Sequence, residues 1–419
     1  MLLEIVACVS IVVIVLLVKL SWWRQRCNRL IPNNQPSFFN PLGEVFDYDA
    51  FEFSGQKHAV HLGIMKAFAK WSNKFKKYPL CCTWIAYTPY TLIHKSEAVR
   101  DLLQVKKNIE KSWLYYFFQT IGGKGLFTCD STQWKDRRKL FAPCFQSNML
   151  KGYLTVFNEH SQKFVNLLHK ETEEGIHNCG RTDISVCPGY CMRMHYGSEY
   201  RALENESKQY VESLFTGQWI FMMAKSSQIL AVAQSPLLEF ENWKRSSLSQ
   251  RKVVNDLSRT GHDTVATTIK WALYLIGLHP EVQEKIHQEV DSVFEGDAER
   301  PLSVDDLSDL KFNSWDKPSD FFGMKLVFLQ TVKTQNKECN RLYPSVPQFG
   351  RHISEDTKIC GYTAPKGASA IVMTYFLHRD EDVFPDPEKF DPERFLPERT
   401  KIRFLNLLMF LLELGLDIA

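Results

Sequence analysis

The sequence predicts a mainly α-helical protein with a small β portion and one N-terminal transmembrane helix. Ile5 to Val18 is uninterrupted apolar sequence at the chain start. Apolar residues then recur at helical spacing over two long stretches, 150–168 and 282–293. A single segment, Leu80 to His94, is rich in Thr, Tyr, Ile and Trp around Pro89, the pattern of a short, partly edge-like hairpin.

The N-terminal run is extended by Leu2, Leu3 and Leu20 around the lone charges Glu4 and Lys19, which is close to one membrane crossing. Trp22 and Trp23 sit where interfacial aromatics belong, and Arg24, Arg26 and Arg29 follow on the side expected to be cytosolic. A cleaved signal peptide is the rival reading, but it calls for positive charge ahead of the apolar run and small residues behind it. Residues 1–23 are therefore expected to be a membrane anchor, and the basic, proline-rich segment 24–43, with Pro32, Pro36 and Pro41, a stiff linker. Residues 44–419 are expected to form one incomplete domain, irregular at 196–260 and 313–336, with an atypical tail at 399–419.

Leu150, Tyr153, Leu154, Phe157, Phe164, Leu167 and Leu168 trace one helix face. His279-Pro280 puts proline at a first helical position, Val282, Ile286, Val290 and Val293 form the stripe, and Gly296 is a candidate cap. With 44% hydrophobic and 24% charged residues the chain can bury a sizeable core and is not compositionally disordered. A net charge of +3, with basic residues scattered among acids, calls for no nucleic-acid partner. The eleven cysteines are odd in number and two are adjacent, which fits reduced thiols better than a disulfide framework.

Three sets of residues carry possible chemistry. Glu338 and Arg341, at i and i+3, project from one helix face, and alone they describe an exposed pair worth about 0.3 kcal/mol. They are followed by LYPSVPQFGRH at 342–352, GYTAPKG at 361–367 and LHRDEDVFPDPEKFDPERF at 377–395. The second set is Gly261-His262-Asp263-Thr264, where Asp263 could equally be the N-cap of a helix that begins at Thr264. Trp134 and Arg138, inside GLFTCDSTQWKDRRKLFAPCF, are the third, stacked on one face by their spacing of four. A solvated basic face is the plain alternative there.

In this order the segments resemble those of the family-four cytochrome P-450 enzymes. The resemblance implies a cytochrome P-450-like fold and a haem cofactor. It also implies that Glu338, Arg341 and Arg394 form a buried charged brace behind the haem, that Trp134 and Arg138 bind a haem propionate, and that Gly261 leaves room for dioxygen while Asp263 and Thr264 relay protons. Thr260 stands where relatives often carry a Glu that esterifies the haem, so no covalent haem is expected. The implied activity is monooxygenation of a lipophilic small molecule, a fatty acid, hormone or xenobiotic, with electrons from an NADPH-dependent reductase at the endoplasmic reticulum membrane.

In that family a glycine-rich loop bearing the iron-ligating cysteine follows the Pro-Glu-Arg-Phe block by a few tens of residues. Here the last cysteine is Cys360, in a segment without the loop's glycines, and IRFLNLLMFLLELGLDIA forms the tail. The expectation is a domain truncated before its axial ligand and inactive as it stands, with a non-catalytic, membrane-tethered pseudoenzyme as the alternative. A zinc module on His177, Cys179, Cys187, Cys191 and His195 is a weaker third, because paired Cys-x-x-Cys spacing is lacking. His378-Arg379-Asp380 lacks the Asn of a kinase loop, and Gly122-Gly123-Lys124-Gly125 reads as a turn.

Overall fold

The computed structural model describes, with short breaks, residues 2–44, 59–141, 154–173, 264–303 and 330–399. Along the chain come α1 (Leu2–Asn28), α2 (Ala59–Lys74), β1 (Leu80–Ile85), β2 (Thr88–Ile93), α3 (Ser96–Gln104), α4 (Ser131–Phe141) and α5 (Leu154–Glu173). A helix at 267–278, α6, precedes α7 (Pro280–Phe294) and α8 (Gln330–Leu342). Then follow β3 (Phe349–His352), β4 (Thr357–Ile359), β5 (Tyr362–Ala364), β6 (Ser369–Val372), α9 (Thr374–Leu377) and a 3-10 turn at Pro392–Phe395. The architecture is mainly helical with a small sheet portion, as the sequence predicts. Two compact units result, Met1–Tyr115 with Gln348–Asp382, and Tyr116–Pro347 with Val383–Ala419.

In the first unit four strands run in the order β1-β2-β6-β3. The Leu80–His94 segment is a hairpin, but β2 is interior, pairing antiparallel with β1 and parallel with β6. Pro89 is tolerated because its β1 partner Trp84 turns its own N–H and C=O outward to Glu44, and the β2–β6 register begins one residue later, at Tyr90 opposite Ser369. Ala67, Trp71 and Phe75, four apart along and just beyond α2, pack on Tyr90, Leu92, Ile371 and Met373. Each of the larger apolar side chains here, such as Phe75, Leu92 and Ile371, contributes about 1.5–3 kcal/mol of burial. The second small sheet, β4–β5, closes through a two-residue turn in which Cys360 (φ 48°) and Gly361 (φ 83°) are both left-handed, the I′ geometry that matches strand twist.

The outer edge of β1 is covered by the segment expected to be a linker. Pro32 accepts from the Cys82 N–H at 2.8 Å, Asn33 bridges to Cys82, and the Glu44 N–H donates to Trp84 O at 2.8 Å. The Glu44 carboxylate, buried, also accepts from the Trp84 N–H at 2.9 Å and from the Thr83 hydroxyl. An edge that would otherwise expose unpaired N–H and C=O groups is thus closed.

In the second unit α7 starts at Pro280, and its stripe buries Val282 and Ile286, with Ile276, Val290 and Phe390 packed against them. Gly296, its expected cap, lies outside the described residues. Ala272 and Leu275 of α6 meet Cys339 and Leu342 of α8, and Trp271 stacks on Tyr343 with ring centroids 3.8 Å apart. This contact sets α6 beside the helix that carries Glu338 and Arg341.

Candidate functional site

The segment after Val383 cannot be helical over its first half, because Pro385 and Pro387 each remove a backbone donor. Asp391 then caps the short 3-10 turn, its carboxylate accepting from the Glu393 N–H at 3.1 Å, and Pro392 occupies the first turn position. Arg394 is thereby carried back toward α8.

On α8, Arg341 grips Glu338 with two parallel bonds, Nε to Oε2 at 2.7 Å and Nη2 to Oε1 at 2.8 Å. The Glu338 Oε1 also accepts from Arg394 Nε at 3.1 Å and from the Asp391 N–H at 2.9 Å. Neither side chain of the Glu338–Arg341 pair is exposed, and that of Arg394 is only 12% exposed. Two guanidiniums against one carboxylate leave an excess positive charge, and backbone oxygens absorb it. Arg341 donates to Pro387 O at 2.6 Å and Lys389 O at 3.1 Å, while Arg394 donates to Pro385 O at 3.2 Å and Lys389 O at 3.3 Å. Phe384 closes the inner side, with the Arg341 guanidinium 5.2 Å from its ring centre. The three charged residues therefore come together, and the whole 384–395 loop is wrapped around them.

Thr264 is helical, one turn ahead of α6. The Thr268 hydroxyl donates to Thr264 O at 3.0 Å and lies 3.3 Å from the Asn340 side-chain oxygen. A hydroxyl has one proton, so an Asn340 amide turned over would complete the pair by donating to Thr268. Gln335 adds a second polar tie, its amide donating to Ala272 O at 3.3 Å. Gly261 and Asp263 lie outside the described residues, as do the five candidate zinc ligands and the 196–260 segment.

Asp130 begins α4, accepting from the Gln133 N–H at 2.9 Å. One turn on, the Arg138 guanidinium sits 5.6 Å from the Trp134 ring centre, so the expected stacking of the two side chains is present. What the sequence reading missed is the role of backbone oxygens and of the Thr268–Asn340 contact.

The sequence model of the family described as cytochrome P450 matches residues 56–240, 244–315 and 326–407. The chain belongs to the cytochrome P450 family. Family-four proteins are among its relatives. Cytochrome P450 4V2 of Mus musculus is 30% identical over 381 residues, covering 76% of this chain and 69% of that protein. Cytochrome P450 4V2 of Homo sapiens is 30% identical over 382 residues, covering 77% and 69%. Cytochrome P450 4c3 of Drosophila melanogaster is 26% identical over 374 residues, covering 74% and 66%.

Membership makes this a haem monooxygenase in general class, and haem the implied cofactor. Arg138 supplies a fork suited to a carboxylate. All seven described cysteines are free. Cys81 and Cys82 are buried on β1, Cys339 is buried where α8 meets α6, and Cys360 is in the β4–β5 turn, its N–H donating to Asp101 at 2.9 Å. None of the described cysteines follows the Pro-Glu-Arg-Phe block, where the resemblance places the iron ligand. Among the described residues no group of three or more His, Cys, Asp or Glu could hold a metal ion. Among the described residues one helix, Glu4–Asn28, is long and apolar enough to cross a membrane, and it fits an anchor.

Proposed function

We propose that this cytochrome P450 descends from, and is built to serve, a monooxygenase that hydroxylates a lipophilic small molecule such as a fatty acid, with electrons from an NADPH-dependent reductase. The observation that carries the reading is the Glu338–Arg341–Arg394 brace, with Glu338 and Arg341 buried and the one carboxylate held by both guanidiniums. When bound, haem would supply the oxidising chemistry. The protein's part is peripheral. Arg138, steadied by Trp134, would hold a propionate, while the brace would keep the 384–395 loop seated on α8. Thr264, with Gly261 and Asp263, would place a hydroxyl and an acid for proton delivery.

The anchor would sit in the endoplasmic reticulum membrane with the folded part in the cytosol. Because no described cysteine stands where the resemblance places the iron ligand, we propose no turnover for these 419 residues by themselves. A membrane-tethered pseudoenzyme is the second reading, favoured by the same observation. Haem titration of the purified full chain tests the assignment. Wild type should take up one haem and Arg138→Ala should bind it about tenfold or more weakly, the loss of a charge-assisted fork. Equal affinity of the two would remove Arg138 from the haem site, and no uptake by either would favour the pseudoenzyme.

A further inference from the structure

We infer that the last two turns of α1 are a rigid stem, not a tether, and that they hold the tip of the β1–β2 hairpin in the headgroup layer of a lipid bilayer. This rests on reading α1 as membrane-spanning. Leu2 to Leu20, at about 1.5 Å per residue, rises about 28 Å, which matches a hydrocarbon layer of about 30 Å. Ser21 therefore stands at the boundary between hydrocarbon and headgroups. The helix continues unbroken to Asn28, and from Ser21 onward its surroundings change.

Ser21 and Arg24 are buried at 3% and 0% exposure, whereas neighbouring Trp22 is 65% exposed. The Ser21 hydroxyl meets the Tyr87 hydroxyl at 3.0 Å, and the Trp84 indole N–H donates to Asn28 Oδ1 at 2.7 Å. Trp23 meets Trp84 edge-on with centroids 5.6 Å apart. Arg24 donates to Ser37 O at 2.8 Å and lies 5.0 Å from the Tyr87 ring centre. The Ser21–Tyr87 and Asn28–Trp84 bonds join the stem to the hairpin at two points seven helical residues, about 10 Å, apart. The hairpin thus runs alongside the stem with Tyr87 at its membrane end, level with Ser21. An amphipathic phenol level with Ser21, one residue from the exposed Trp22, suits that layer.

The test places a fluorescent amino acid at position 13, 78 or 88 of the full chain in phosphatidylcholine vesicles carrying nitroxide lipids. Position 78 precedes β1, whose first residue Leu80 lies five residues, about 17 Å, along the strand from Ile85, the partner of Thr88. A headgroup nitroxide should quench the label at 88 several-fold more than at 78, and a deep acyl nitroxide should quench the label at 13. Quenching at 13 with equal quenching at 88 and 78 overturns the stem. No quenching at 13 overturns the anchor on which it rests. Arg24→Gln, in a protein that still melts cooperatively, should bring quenching at 88 down to that at 78. So should the milder pair Ser21→Ala with Tyr87→Phe, in part. Undiminished quenching in both variants contradicts the stem.

Discussion

Glu338 and Arg341 face each other through two bonds of 2.7 and 2.8 Å with neither side chain exposed. Removing either partner leaves the other charge buried. Glu338→Gln keeps the shape and strands two guanidiniums, so it should cost about 3–5 kcal/mol, read as a shift of the urea midpoint at constant slope. Arg341→Leu should cost as much, and the double variant less than the sum, because the two losses share one partner.

Gly350 on β3 has no room for a side chain. A Cβ there would stand 2.8 Å from Ser112 Cβ and 3.1 Å from Ile371 Cδ1. Gly350→Ala should destabilise by about 1–3 kcal/mol. Adding Ser112→Gly should recover part of that by thermal melting, whereas Ser112→Ala should not, since the clash is at Cβ. Recovery is incomplete because the Ser112–Ser369 hydroxyl bond of 2.9 Å is lost.

Burial holds His94 below its usual 6.5, although its ring nitrogen lies 3.3 Å from Phe75 O. Lys95 disfavours the charged ring further, and Asp380 opposes that. The unfolded chain therefore takes up a proton at a pH where the folded chain does not. Stability should fall as pH drops below 6.5 and show no contribution from this group above it. Urea midpoints at about pH 5.5 and about pH 7.5 should differ, and less so in His94→Gln.

Thr268 and Asn340 should be coupled. A double-mutant cycle with Thr268→Val and Asn340→Leu should show about 0.5–1.5 kcal/mol of interaction, the net worth of one hydrogen bond. Additive effects would mean that the contact contributes nothing.

The long apolar run, the Pro280 helix start and the hairpin were legible because each is set by local pattern: length, a fixed φ, and residue type. Glu338, Arg341 and Arg394 were legible through family order, not spacing. Their carbonyl partners at Pro385, Pro387 and Lys389 were not, since a backbone oxygen carries no mark of residue identity. Thr268 and Asn340 are 72 positions apart, so only the packing of α6 on α8 joins them. Arg24 reads in sequence as one of three flanking charges, and only the fold turns it inward, where Ser37 and Phe38 carbonyls receive it.

The carbon-monoxide difference spectrum of the reduced, haem-reconstituted 419-residue chain tests most directly whether these residues hold the periphery of a haem site without its thiolate. The account predicts haem uptake that depends on Arg138, with no red-shifted thiolate Soret band. A thiolate band from this chain would contradict it, because one of its eleven cysteines would then have to reach the iron as a thiolate.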